Sequence, residues 1–144
     1  ALAAGAIALA AGGSPSARPA EVAGDTGRIP WRAWDPAEAE RLAAAGTPVL
    51  LDITADWCVT CKVNERLILE TPEVRAALAR HGVVPMKADW TNRDDAIGEF
   101  LAAHGRYGIP FYLLYRPGRE PRVLPELLTR DLVLAALEEA AQGS

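Results

Sequence analysis

The run Val49–Thr54 (VLLDIT) constrains this chain more than any other stretch. Its apolar residues are consecutive rather than alternating, which predicts a short strand covered on both faces. Such a strand belongs in a sheet with a packed layer on each side. The rest of the chain supplies those layers. Asp35 is placed to cap a helix over 36–45, with Pro36 at its first position and Glu38 spaced as in a capping box, and Gly46 stops it. A helix is predicted over 58–70. Thr71-Pro72-Glu73 provides a second cap for a helix to about residue 80. A strand over 83–89 and a helix over 92–104, closed by Gly105, follow. Phe111–Tyr115 reads as a strand, and a turn at Arg116-Pro117-Gly118 leads to another near Arg122–Leu124. Thr129 caps a last helix over 130–141, in which Leu132, Val133, Ala136, Leu137 and Ala140 form one apolar stripe. The pattern predicts an α/β fold, a central mixed β-sheet flanked by helices on both faces, with its last two strands antiparallel.

The 144 residues suit one compact domain with modest extensions, and 50% apolar content supports a core. A net charge of −4 argues against a nucleic-acid partner, which needs a basic face. Two cysteines and two histidines exclude a disulfide-rich scaffold and leave few ligands for a zinc finger. The first residue is not Met, so a fragment or processed product is expected. Residues 1–11 (ALAAGAIALAA) are apolar or Gly; as a helix they rise only about 16 Å, roughly half a bilayer core. They read first as the end of a transmembrane helix, with a signal-peptide remnant or an Ala-rich leader as alternatives. Residues 12–28, rich in Gly, Ser, Pro and Ala, read as a flexible linker, and 29–144 as the folded domain.

Cys58 and Cys61 are three residues apart at the predicted strand-to-helix junction. A thiolate, not a thiol, attacks a disulfide, and the free N–H groups and dipole of a helix N-terminus favour a negative sulfur. Residues three apart share a helix face, so Cys61 can resolve a mixed disulfide that Cys58 forms. The alternatives are weaker. Zinc needs two further ligands, and neither His81 nor His104 stands at a zinc-motif spacing; both read as surface helix ends. A static disulfide closing so short a loop adds little stability. No bound cofactor is called for.

Other residues surround this pair. Alternation puts Asp52 on the face of Leu50 and Thr54, and its apolar neighbours favour burial over a strand-edge position. A buried carboxyl has a raised pKa and can take the proton of Cys61 near neutrality. Lys87, in the adjoining strand, is either the charge partner of Asp52 or a solvated lysine. Glu65 lies seven residues after Cys58, two turns along the same face. It either raises the thiol pKa values, against the dipole, or is a solvated helix charge. Ile109-Pro110 stands just before a strand, where a cis bond would aim the backbone at the cysteines for strand addition by a partner; spacing alone leaves the isomer open. Trp57 is either a core aromatic or a contact surface beside the thiol. Trp31, Trp34 and Trp90 read as core or rim.

VLLDITADWC, CVTCK and the IP before a strand together resemble thioredoxin, over about residues 29–141. More closely, LDITADWCVTCKVNE is similar to the C-terminal periplasmic domain of DsbD-type thiol:disulfide interchange proteins. The resemblance implies a thioredoxin-like fold, with Cys58 as exposed nucleophile, Cys61 as buried resolving cysteine and Pro110 as the facing cis-proline. It implies that Asp52 and Glu65 are the two acids that tune the cysteines, and that Lys87 lies near the buried acid. It further implies a monomeric protein-disulfide reductase domain, tethered at the periplasmic face of the inner membrane. That domain takes electrons from a membrane-embedded electron-transfer domain of the same parent protein. It hands them on toward periplasmic disulfide-containing proteins, including those of cytochrome c maturation. A stand-alone periplasmic reductase and a non-catalytic binding module are the rival readings. Two departures stand out: Val-Thr replaces thioredoxin's Gly-Pro between the cysteines, and bulky Phe111 follows Pro110.

Overall fold

A computed structural model describes residues 27–142; the apolar segment 1–11 and most of the linker, 12–26, lie outside the described residues. The elements are β1 (Arg32–Ala33), α1 (Pro36–Ala44), β2 (Val49–Thr54), α2 (Val59–Asn64), α3 (Pro72–Arg80), β3 (Val84–Asp89), α4 (Asp95–Ala103), β4 (Phe111–Tyr115), β5 (Arg122–Leu124) and α5 (Arg130–Ala141). One sheet has the order β1-β3-β2-β4-β5. β1, β3 and β2 run parallel, and β4 pairs antiparallel with both β2 and β5. The fold is thioredoxin-like, a mixed five-stranded sheet with five helices.

All six residues of β2, at the sheet centre, are buried. Their side chains alternate between two cores. Leu50 joins Tyr112 and Leu114 under Val74 and Leu78 of α3 and Val133 and Leu137 of α5. Val49, Leu51 and Ile53 point the other way, with Met86, Phe111 and Leu113, toward Ala39 of α1 and Leu101 of α4. Helix-covered on both faces, β2 has no solvent side, and this is why its sequence is apolar at consecutive positions.

The helix starts follow their caps. The carboxylate of Asp35 accepts the N–H groups of Ala37 and Glu38. The capping box does not close, because Glu38 pairs instead with Arg41 at 2.6 Å. Thr71 and Thr129 accept the N–H groups of Val74 and Leu132. The expected helix over 92–104 begins later, capped by Asp94, because Arg93 is left-handed with φ of 53°. β3 starts at Val84 rather than 83, and β1, two residues long, carries no pattern that marks a strand.

The expected helix over 58–70 is not uniform. After Asn64 the chain makes a π-helical turn, Glu65–Leu69, in which the Glu70 N–H reaches the Glu65 carbonyl at 2.8 Å. Such wide turns occur often beside functional sites. The Glu70 carboxylate, at its end, accepts the Ile29 N–H and the Trp31 indole N–H, both at 3.0 Å.

Candidate active site

β2 and α2 meet at Cys58, the N-cap of the helix. Cys58 and Cys61 form a disulfide with Cα atoms 5.3 Å apart. The Cys61 N–H donates to the Cys58 sulfur at 3.2 Å, so that sulfur already occupies the cap that serine or aspartate fills elsewhere. Cys61 is fully buried and Cys58 is 6% exposed. The expectation of an exposed Cys58 is thus corrected to a nearly covered one: Ala55 and Ile109 pack around the pair. Of the two cysteines, only Cys58 keeps any exposed surface.

The Ile109–Pro110 peptide bond is cis. Pro110 is buried, and Ile109, half-buried, stands just before the β2–β4 register begins at Phe111. Ile109 packs against the cluster that holds both cysteines, a contact between residues far apart in sequence.

Asp52 is fully buried, in register with Lys87 on one side and Tyr112 on the other. Neither carboxylate oxygen has a hydrogen-bond partner. Burial first, then the charge of Glu65, pushes its pKa up to about 7, while Lys87 and Lys62 oppose the rise. Lys87 does not pair with Asp52 directly. Its ammonium lies 4.0 Å from Glu65 and 4.7 Å from the Trp31 ring centre, because its long stem carries the charge out of the dry centre of the sheet. Glu65 also accepts the Thr54 hydroxyl at 3.0 Å and faces Lys62 at 3.8 Å. Its polar partners are therefore Thr54, Lys62 and Lys87, and its field falls on Asp52. Opposite outcomes are expected from two substitutions: Glu65→Gln lowers the Asp52 titration midpoint and Lys87→Gln raises it, as read from carboxyl carbon shifts by NMR. Shifts of the same sign in both would refute this arrangement of charges.

Trp57 is exposed, and its indole N–H donates to the Thr91 carbonyl at 3.0 Å. The guanidinium of Arg93 lies 4.4 Å from the Trp57 ring centre and 5.3 Å from that of Trp90. Trp90 is buried, Trp31 and Trp34 pack at the edges of the two cores, and the His104 ring faces the Phe100 carbonyl at 3.0 Å.

Asn64 escaped the sequence reading. It is buried, donates to the Tyr112 hydroxyl at 2.9 Å and the Glu126 carbonyl at 2.7 Å, and accepts the Leu128 N–H at 3.4 Å. It ties the cysteine helix to β4 and to the loop before α5. A polar residue three after Cys61, on the buried face, was the available signal. Asn64→Ala leaves two buried groups, the Tyr112 hydroxyl and the Leu128 N–H, without this partner, so a loss of about 3 kcal/mol in urea unfolding is expected. A loss below about 1 kcal/mol would mean that the clamp contributes little.

Residues 30–117 match a family described as thioredoxin-like. The chain is 40% identical over 74 residues to thiol:disulfide interchange protein DsbD 1 of Pseudomonas aeruginosa, covering 51% of this chain and 12% of that protein. It is 41% identical over 91 residues to DsbD 2 of the same organism, covering 60% and 15%. To DsbD of Ralstonia nicotianae it is 56% identical over 55 residues, covering 38% and 9%. The matched stretch is thus a small part of each of these longer relatives. Among solved structures, the oxidised C-terminal domain of Neisseria meningitidis DsbD superposes with a TM-score of 0.59 at 23% identity, covering 75% of this chain and 97% of that one. A Thermus thermophilus thioredoxin superposes with a TM-score of 0.59 at 20% identity, covering 77% and 87%. At these identities the superpositions speak to the fold, and the DsbD sequences supply the nearer kinship. By sequence and by architecture, the chain belongs to the thioredoxin-like family, as a domain resembling the C-terminal domain of DsbD.

Proposed function

We propose that this domain is a thiol:disulfide oxidoreductase that relays reducing equivalents. It takes them from a membrane-embedded domain of its parent protein and delivers them to periplasmic disulfide-containing partners. The observation that carries the reading is the Cys58–Cys61 disulfide at a helix N-terminus, with residual exposure at Cys58 alone. In the reduced domain the Cys58 thiolate attacks a partner disulfide. A Cys58–partner bond forms, and the partner's other sulfur departs as a thiolate. Cys61 then gives its proton to Asp52 and attacks the Cys58 sulfur. The partner leaves with both sulfurs reduced, and two electrons have passed from the domain. The dithiol of the membrane domain restores the pair by the reverse steps. Ile109 and Pro110 frame the partner's extended segment, Trp57 borders it, and Glu65 and Lys87 set the proton affinity of Asp52. The names of the DsbD relatives support this reading, and so does the local match around the cysteines. Among the described residues no helix is long and apolar enough to cross a membrane.

Equilibration with glutathione redox buffers tests the direction of flow. A potential near thioredoxin's, about −270 mV, is expected; one near DsbA's, about −120 mV, would make the domain an oxidant and sink the relay. Rapid reduction of many unrelated protein disulfides would favour a stand-alone reductase instead.

A further inference from the structure

Solvent faces of helices are ordinarily polar, yet α2 and its π turn are apolar on both sides. Cys61, Asn64 and Leu69 face inward. On the outside, Val59, Val63 and Leu67 are 74%, 46% and 63% exposed, spaced four apart and so aligned in one row. They line a groove of about 360 Å³ together with Asp56, Lys62 and Arg66. The other large exposed apolar side chains among the described residues are Trp57, Tyr107 and Leu127. Trp57 adjoins Cys58, Tyr107 is two residues before Ile109, and Leu127 sits in the loop held by Asn64. Exposed apolar side chains therefore adjoin the disulfide and its neighbours in the chain, and the outer row of α2 adds to them.

The charge along that row is mainly positive. Arg66 is exposed, and its guanidinium has no hydrogen bond or ion pair among the described residues. Lys62 is half-exposed, with Glu65 only at 3.8 Å. Asp56 is the opposing charge, at the end nearest Cys58.

We propose that the Val59–Val63–Leu67 row is a second docking surface for the protein partner, taking an apolar segment that carries an acidic residue for Arg66. This rests on the thiol:disulfide reading above. The row begins one residue past Cys58, so a partner bonded to that sulfur already lies at its head. Arg66 is eight residues along, about 12 Å of helix. An extended segment covers that distance in about four residues. The recognised partner thus has its acid about four positions from the reacting cysteine, with apolar side chains between.

The test uses the reduced full chain and glutathione mixed disulfides of three cysteine peptides. One has Leu-Ala-Leu-Glu reading outward from both sides of the cysteine, one has Lys in place of Glu, and one is built of Gly and Ser. Wild type is expected to reduce the Glu peptide at least fivefold faster than the Lys peptide. Arg66→Glu reverses that order, and Leu67→Ser brings the Glu peptide down to the Gly-Ser rate. Reduction of oxidised glutathione, too small to reach the row, stays the same in all three proteins. Equal rates for all peptides, with glutathione still reduced, overturn the docking surface and leave the exchange reading intact. Failure to reduce glutathione disulfide at all overturns both. Equal peptide rates combined with Arg66-dependent cosedimentation on phosphatidylglycerol vesicles would assign the row to lipid and likewise overturn the proposal.

Discussion

Cys58→Ser stops disulfide exchange altogether, with an expected loss on the order of 10³-fold or more, because the hydroxyl cannot form the mixed disulfide. Cys61→Ser has a different outcome. Cys58 still attacks, but nothing beneath it can expel the partner, so the mixed disulfide accumulates. The asymmetry follows from exposure: Cys58 retains some surface, while Cys61 has none and is reached only from within the pair. Incubating each variant with disulfide-bearing periplasmic proteins and separating the products on non-reducing gels distinguishes the two. If Cys61→Ser captures no partner and Cys58→Ser does, the assignment of attacking and resolving sulfur is reversed.

Asp52→Asn should alter both stability and rate, with signs set by the burial of the carboxyl. Its pKa is raised from 3.8 to about 7, so the folded protein holds a proton that the unfolded chain releases from about pH 4 upward. The stability this gives is complete below the ordinary aspartate range. It declines as pH rises from there to about 7, and above that the decline is complete. The shift corresponds to about 4 kcal/mol. Asparagine cannot ionise, so Asp52→Asn flattens the decline and is more stable than wild type by roughly 2–4 kcal/mol at pH 8. Urea unfolding of the oxidised proteins at pH 5 and pH 8 checks this, and parallel curves would mean that Asp52 is not held neutral by burial. In the proposed relay the same carboxylate takes the Cys61 proton, so the variant is also expected to resolve mixed disulfides about 10²-fold more slowly. The rise of the wild-type rate through pH 7 should vanish with it. Stabilisation accompanied by loss of rate separates a proton acceptor from a residue needed only for packing.

The architecture was largely legible because its determinants are local or periodic. β2 is apolar at consecutive positions because it is covered on both faces, and Asp35, Thr71 and Thr129 cap their helices through N–H groups two or three residues away. The cysteine pair was legible for the same reason: three residues on one helix fix its reach. Where the reading went astray, a competing contact had prevailed. Glu38 satisfies Arg41 instead of closing the capping box, and the left-handed Arg93 delays α4.

Taken alone, then, the sequence determined the order of the elements from α1 onward, the central place of β2, the burial of Asp52 and the position of the two cysteines at a helix start. The tertiary structure decided what surrounds them. It made the Ile109–Pro110 bond cis and set it against the disulfide, turned Lys87 to Glu65 rather than Asp52, and closed Asn64 on Tyr112, 48 residues away. It also left the Val59–Val63–Leu67 row uncovered. Helix periods and caps act over a few residues, whereas these features depend on which distant side chain arrives at the same point in space, and only the packed sheet brings them there.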